Sequence, residues 1–324
     1  MMQALRGIFP TFQLKDLSTY RSELMGWSIL WIMMLHFRFI TIKPLGFIAQ
    51  YGFAGVDIFM FVSGLGLFFS LYKRPALRSF YLKRARRIFP TYYLIGILAS
   101  SLLFSDNIIT YLFRYSTIGF WTNGAYFEWF IPSIVILYLL SPAIFYLMHR
   151  YPVLLWTGSI LILVLSYFVV RYQLLSGEHY FFFYRIPAFV GGMACGKLIH
   201  ENHSPHLFLL LAILGIPFFV IFLPMHHSIY LFKYYALFFL LPTFLIIICS
   251  VCKLLEPLNT ILRKIGEASL EIYLIQALFF SAMCQGMLTL SPIWHDAISL
   301  ALILCCTLAG MALHLLVSRI HFLQ

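Results

Sequence analysis

Apolar runs follow one another along this chain from residue 23 almost to its end, and the polar breaks between them are short. Ten runs reach or approach the ~20 residues that a helix needs to cross a bilayer core. They cover roughly 23–41, 47–71, 87–105, 128–149, 152–172, 180–199, 207–223, 229–252, 268–289 and 296–318. None alternates apolar and polar positions as the strand of a membrane barrel would. The pattern predicts an all-α, polytopic transmembrane bundle of about ten helices, filling residues 1–324 as one membrane-embedded domain with no appended soluble domain. The stretch 106–127 is more polar and is broken by Gly, Asn and Thr; it reads as the longest loop, with an interfacial helix marked by Trp121 and Tyr126. No short apolar segment ends in a small-residue cleavage site, so the first run is expected to stay as a helix. No fixed-period repeat is present.

Composition agrees with the pattern. Of 324 residues 62% are hydrophobic and only 10% charged, where a soluble domain carries roughly 25% charge. The net charge of +11 does not point to nucleic acid, because the cations lie beside the apolar runs, where they set orientation and meet lipid head groups. Their distribution is lopsided. Arg38, Lys43, Arg114, Arg171, Arg185 and Lys233 fall on one side, and the other 16 of the 22 Lys and Arg fall on the side of the N-terminus. The positive-inside rule then predicts that both termini are cytoplasmic. Of the 6 cysteines, Cys249 and Cys252 form a CxxC, but no second pair or nearby His completes a metal set, so no metal is expected.

Two features carry candidate chemistry. The stretch from Lys73 to Arg87 holds seven cations (Lys73, Arg74, Arg78, Lys83, Arg84, Arg86 and Arg87). Arg84 and Arg87 share a helix face, and two guanidinium forks on one face make a phosphate-sized site. The same stretch also reads as a topology anchor in contact with lipid. The second feature is His36, inside the first run. If that helix enters near Arg21, fifteen residues carry His36 about 22 Å into a ~30 Å core. A neutral imidazole there can take a proton from a hydroxyl; a histidine bonded to a neighbouring helix is the plain alternative. Asp57, expected level with His36 at the outer end of the second run, and Glu128, at the start of the fourth, are candidate partners for the imidazole. Each also fits as a carboxylate at a helix N-terminus. Arg185 reads as a snorkelling anchor. His200, His203 and His206 read as a solvated loop because Pro205 interrupts them, His226 and His227 as an interfacial loop, and His314 as a packed helix residue.

Several ordered segments resemble one family. They are Glu23-Leu24-Met25-Gly26 through Leu35-His36, Gly55-Val56-Asp57-Ile58-Phe59 through Ser63-Gly64, and Tyr81-Leu82-Lys83-Arg84-Ala85-Arg86-Arg87-Ile88-Phe89-Pro90. Trp129-Phe130, Tyr138 and Pro142 follow, then Arg185-Ile186-Pro187-Ala188-Phe189 with Gly192, and Gly266 with Ser269-Leu270-Glu271-Ile272-Tyr273-Leu274-Ile275-Gln276. Together they resemble the integral-membrane acyltransferase type 3 family of bacterial sugar and cell-envelope O-acyltransferases. The resemblance implies a ten-helix domain that takes an acyl group, usually acetyl, from cytoplasmic acyl-CoA. The acceptor it implies is a hydroxyl of an envelope glycan or its lipid-linked precursor. Acetyl-CoA would be a co-substrate, with no permanently bound cofactor, and the expected location is the bacterial cytoplasmic membrane. The family's membrane histidine falls on His36 and its Arg-x-x-Arg pair on Arg84 and Arg87, with Lys83 beside them. Two positions depart from the pattern: Met25 stands where many members carry Arg or Lys, with Arg21 one turn earlier, and Gln276 stands where a histidine is usual.

The sequence therefore predicts a membrane O-acyltransferase with His36, Asp57 and Glu128 as catalytic candidates and Arg84, Arg87 and Lys83 as the acyl-CoA site. A transporter using the same buried charges as a relay and a non-catalytic partner of a glycan assembly complex are the rival readings. The orientation is directly testable. Cysteine introduced at Ser79 should react with a membrane-impermeant thiol reagent only after the inner face is opened, and cysteine at Asn123 should react from outside. Labelling of position 79 in intact cells would reverse the predicted topology.

Overall fold

The computed structural model describes residues 11–123, 129–172, 179–225, 232–287 and 294–322. Among the described residues every regular element is helical. Each of the ten apolar runs carries a helix, but several runs break where proline or glycine interrupts the backbone ladder. The second run divides around Gly52 into Lys43–Ala49 and Phe53–Tyr72. The eighth divides into Phe232–Phe239 and Leu241–Leu254, where Pro242 takes a first-turn position. The ninth is preceded by an amphipathic helix, Glu256–Glu267, bent by 68° from Ser269–Cys284. Among the described residues five helices are long and apolar enough to cross a membrane, or six if that bent pair counts as one span. The helix bearing His36, Arg21–Phe37, has 17 residues and Ile186–His200 has 15, which puts both below a full span.

The helix bearing Asp57 is the centre of the bundle. Of its apolar window 83% is buried, against 17% for Pro152–Val169 and for His295–Ile320. It packs on Arg21–Phe37 on one side and on Ile186–His200 on the other. The second contact is very close. A Cβ at Gly192 would stand 1.8 Å from the Phe61 carbonyl oxygen, and one at Gly64 would stand 2.1 Å from that of Phe189. The two glycines face each other's backbones, so the helices meet with no side chain between them, as small residues permit in membrane bundles. A like crossing joins Gly26 and Gly266: added Cβ atoms would lie 2.2 Å from Leu262 O and 1.8 Å from Ser22 O. It fixes the amphipathic helix against the first one.

The Arg21–Phe37 helix ends at Arg38, whose φ of 59° turns the chain out of the helix. Asp296 then gathers the following loop, accepting the backbone N–H groups of Ile40, Thr41 and Ile42 at 2.7, 3.0 and 2.6 Å. A carboxylate with three such donors holds the exit of the His36 helix in one place.

The Gly64–Gly192 crossing yields a prediction. Gly192→Ala should cost about 1–3 kcal/mol, the usual penalty for overpacking, read as a lower unfolding midpoint in detergent. Gly158→Ala is the control, because nothing lies within 4 Å of a Cβ there. Equal stability of the two variants would show that the crossing is loose.

Candidate functional site

One cavity of about 1290 Å³ runs through the bundle. Its basic end is lined by Lys83, Arg84, Arg86 and Arg87 from the Leu77–Ala99 helix and by Arg21 from the first. Its other end is lined by His36, Arg185, Trp129 and Tyr273. Arg21 and His36 lie on one helix fifteen residues apart, which gives the cavity a length of about 22 Å.

At the basic end the two arginines on one helix face differ. Arg84 lays its guanidinium 4.1 Å over the Phe80 ring and donates to Ser70 Oγ at 2.7 Å and to the Phe80 carbonyl at 3.3 Å. Arg87 donates through both terminal nitrogens to Glu271, at 2.5 and 3.0 Å, and also to the Glu267 carbonyl at 3.0 Å. Glu271 is fully buried while the Arg87 side chain is 41% exposed. The second oxygen of Glu271 also lies 3.3 Å from His314 Nδ1. Arg87 thus reaches from the cavity to satisfy a carboxylate that is fully buried. Arg21 crosses Gly66 so closely that an added Cβ would lie 2.8 Å from its Nε, which donates to the Val62 carbonyl at 3.3 Å. Arg21 and Met25, one turn apart, both line the cavity.

At the far end His36 is half-buried, and its Nδ1 lies 2.7 Å from Gln276 Oε1. Phe280, one turn beyond Gln276, packs on the imidazole with ring centres 4.7 Å apart. Asp57 pairs with Arg185, whose Nε is 3.2 Å from Oδ1. Arg185 is itself fully buried and sits 4.8 Å over Trp129 and 4.7 Å over Tyr184. The sequence predicted Asp57 level with His36, and helix register places it deeper instead. A Cβ at Gly52 would touch Leu35 Cβ at 2.7 Å, so that glycine is level with the end of the His36 helix. Asp57 is five residues further in, about 7.5 Å along the axis.

Glu128, the third catalytic candidate, lies outside the described residues, as do Tyr126, His226 and His227. His203 pairs with Glu201 at 3.2 Å and His206 with Ser204 at 3.1 Å in the exposed turn expected of them. Cys249 and Cys252 are buried, and no group of metal-ligating side chains occurs among the described residues. Sequence reasoning did not single out Glu271 or Gln276 as site residues. Both are polar side chains inside an apolar run, which is itself the signal.

The whole chain can now be placed. A family model described as an acyltransferase domain (Acyl_transf_3) matches residues 24–316. This protein belongs to that family, and it is an integral membrane acyltransferase. No curated protein and no solved structure matches it.

The Arg87–Glu271 pair generates a prediction that separates folding from ligand binding. Arg87→Ala strands a buried carboxylate and should cost about 3–5 kcal/mol before solvent screening at the exposed guanidinium reduces it. Glu271→Gln in the same protein should restore most of that stability. Arg84→Ala, which strands no charge, should unfold at nearly the wild-type midpoint. Equal losses at Arg84 and Arg87 would remove the distinction.

Proposed function

We propose that this protein is an O-acyltransferase that moves an acyl group, acetyl in the first instance, from cytoplasmic acyl-CoA to a hydroxyl of a surface polysaccharide or its lipid-linked precursor. The observation that carries the reading is the continuous cavity with cations at one end and His36 at the other. A donor with phosphates on one end and a thioester on a long flexible arm has the same polarity as that cavity. Arg84 and Lys83, with Arg87 at the edge, would hold the phosphates through charge-assisted bonds. The arm would run along the face of the Asp57 helix that carries Ser63, Gly66 and Leu67.

His36 would then act as general base. Its lone-pair nitrogen takes the acceptor hydroxyl proton as the oxygen forms its bond to the thioester carbon. The carbon–sulfur bond breaks, the thiolate leaves, and the imidazolium returns the proton to sulfur. The thioester is already activated, so the chemistry closes with these groups. Asp57 enters as the partner of Arg185, steadying the far wall of the cavity. Glu128 keeps its candidacy as a second acid from the sequence argument. We place the protein in the bacterial cytoplasmic membrane, with the basic end facing the cytoplasm. The family match and the charge distribution support that location.

The test is transfer of labelled acetyl from acetyl-CoA to envelope glycan in membranes, with protein level followed by blot. General-base catalysis contributes about 10²–10⁴-fold, so His36→Gln should lose at least that much transfer while binding acyl-CoA normally. Arg84→Lys keeps the charge but loses the fork, so it should weaken acyl-CoA binding and spare transfer at saturation. A normally expressed His36→Gln protein with full transfer would remove His36 from the mechanism.

A further inference from the structure

The contact between His36 and Gln276 has a chemical consequence. Gln276 is fully buried and stands behind the imidazole, off the cavity that His36 lines. With Gln276 Oε1 turned toward the ring at 2.7 Å, a neutral imidazole carries its proton on Nδ1, because an amide oxygen only accepts. Its lone pair is then on Nε2. The reversed amide would press NH₂ against Nδ1, move the ring proton to Nε2 and leave no base at that nitrogen.

We propose that Gln276 is a positioning residue that fixes the tautomer of His36, so that Nε2 is the nitrogen offered to the acceptor hydroxyl. The inference rests on the general-base reading of His36 and deepens it. Phe280, four residues along the same helix, packs on the ring and restrains its rotation, so one helix sets both the proton and the plane. Gln276 does this without a charge. A carboxylate in its place would stabilise the imidazolium and hold the proton that the reaction must return. Among the acids on the elements packed against the His36 helix, Asp57 is paired with Arg185, Glu271 with Arg87, Asp16 with Lys253 and Asp296 with the 40–42 backbone amides, while Glu256 and Glu267 are exposed on the amphipathic helix. Glu23, on the His36 helix itself, is held by Arg263.

The direct experiment uses the unaltered full-length protein in detergent, labelled with ¹⁵N-histidine. Subtracting the spectrum of His36→Gln isolates the His36 signals from those of the other 10 histidines. The expected result is a protonated Nδ1 and an unprotonated Nε2; a protonated Nε2 in the neutral ring would overturn the proposal. In the transfer assay Gln276→Leu should lower kcat by about 10–100-fold, the range seen when a group orienting an imidazole is removed, with the KM for acetyl-CoA unchanged. Gln276→Glu should move the acid limb of the pH–rate profile upward, because a carboxylate in contact with the ring favours its charged form; an unmoved limb would show that position 276 does not touch the reacting ring and would overturn the proposal. Full kcat in Gln276→Leu also overturns the proposal, and if that variant fails to fold, the spectrum of the unaltered protein still decides. The two readings fail differently. Active His36→Gln removes the general base, whereas inactive His36→Gln with fully active Gln276→Leu removes only the positioning role.

Discussion

A carboxylate buried in an apolar bundle has no water to turn to, and most of this structure follows from how that need is met. Glu23, Asp57 and Glu271 are buried to 1% exposure or less. An isolated charge there would cost several kcal/mol. Each is met by an arginine from a distant part of the chain: Arg263, Arg185 and Arg87. Such pairs add little net stability over apolar packing. What they add is specificity, because a helix that slips by one turn strands a charge. The partners are separated by 128 to 240 residues, so the pairs hold early and late helices in one arrangement.

That arrangement leaves room for the cavity. The Gly64–Gly192 and Gly26–Gly266 crossings bring backbones into direct contact, and Gly266 is itself part of the cavity wall. The polarity of the space comes from the same helices. Arg21 and His36 stand at opposite ends of one 17-residue helix, so the basic mouth and the imidazole are held at a fixed separation by a single rigid element.

The fold class was legible because membrane solvation writes it into the sequence as apolar runs. Helix breaks were less so. Gly52 and Pro242 sit within long apolar runs, and periodicity alone cannot say whether such a residue bends a helix or ends it. The site was half legible. His36 and the cations at 83, 84 and 87 stood out because titratable groups are conspicuous against leucine and phenylalanine, and all four line the cavity. Gln276 was seen only as a departure from the usual residue, and its contact with His36 spans 240 positions that no local pattern links. Asp57 was placed level with His36 because it was read as beginning the second helix on the outer side; the end of the His36 helix lies level with Gly52 instead, five residues earlier.

Arg84 and Arg87 show where spacing stops being informative. On the helix they are equivalent, three residues apart on one face. In the bundle one meets a buried carboxylate and the other meets a hydroxyl, a carbonyl and an aromatic ring. A guanidinium paired with a buried carboxylate has little to offer an incoming anion without releasing Glu271, whereas one held by neutral groups keeps its charge uncompensated. A cation left uncompensated at the mouth of a cavity costs the bundle stability through its neighbours. That cost is relieved when an anion arrives, and the relief is itself binding energy. The far end shows the same contrast: Arg185 is compensated by Asp57, while His36 meets an uncharged amide.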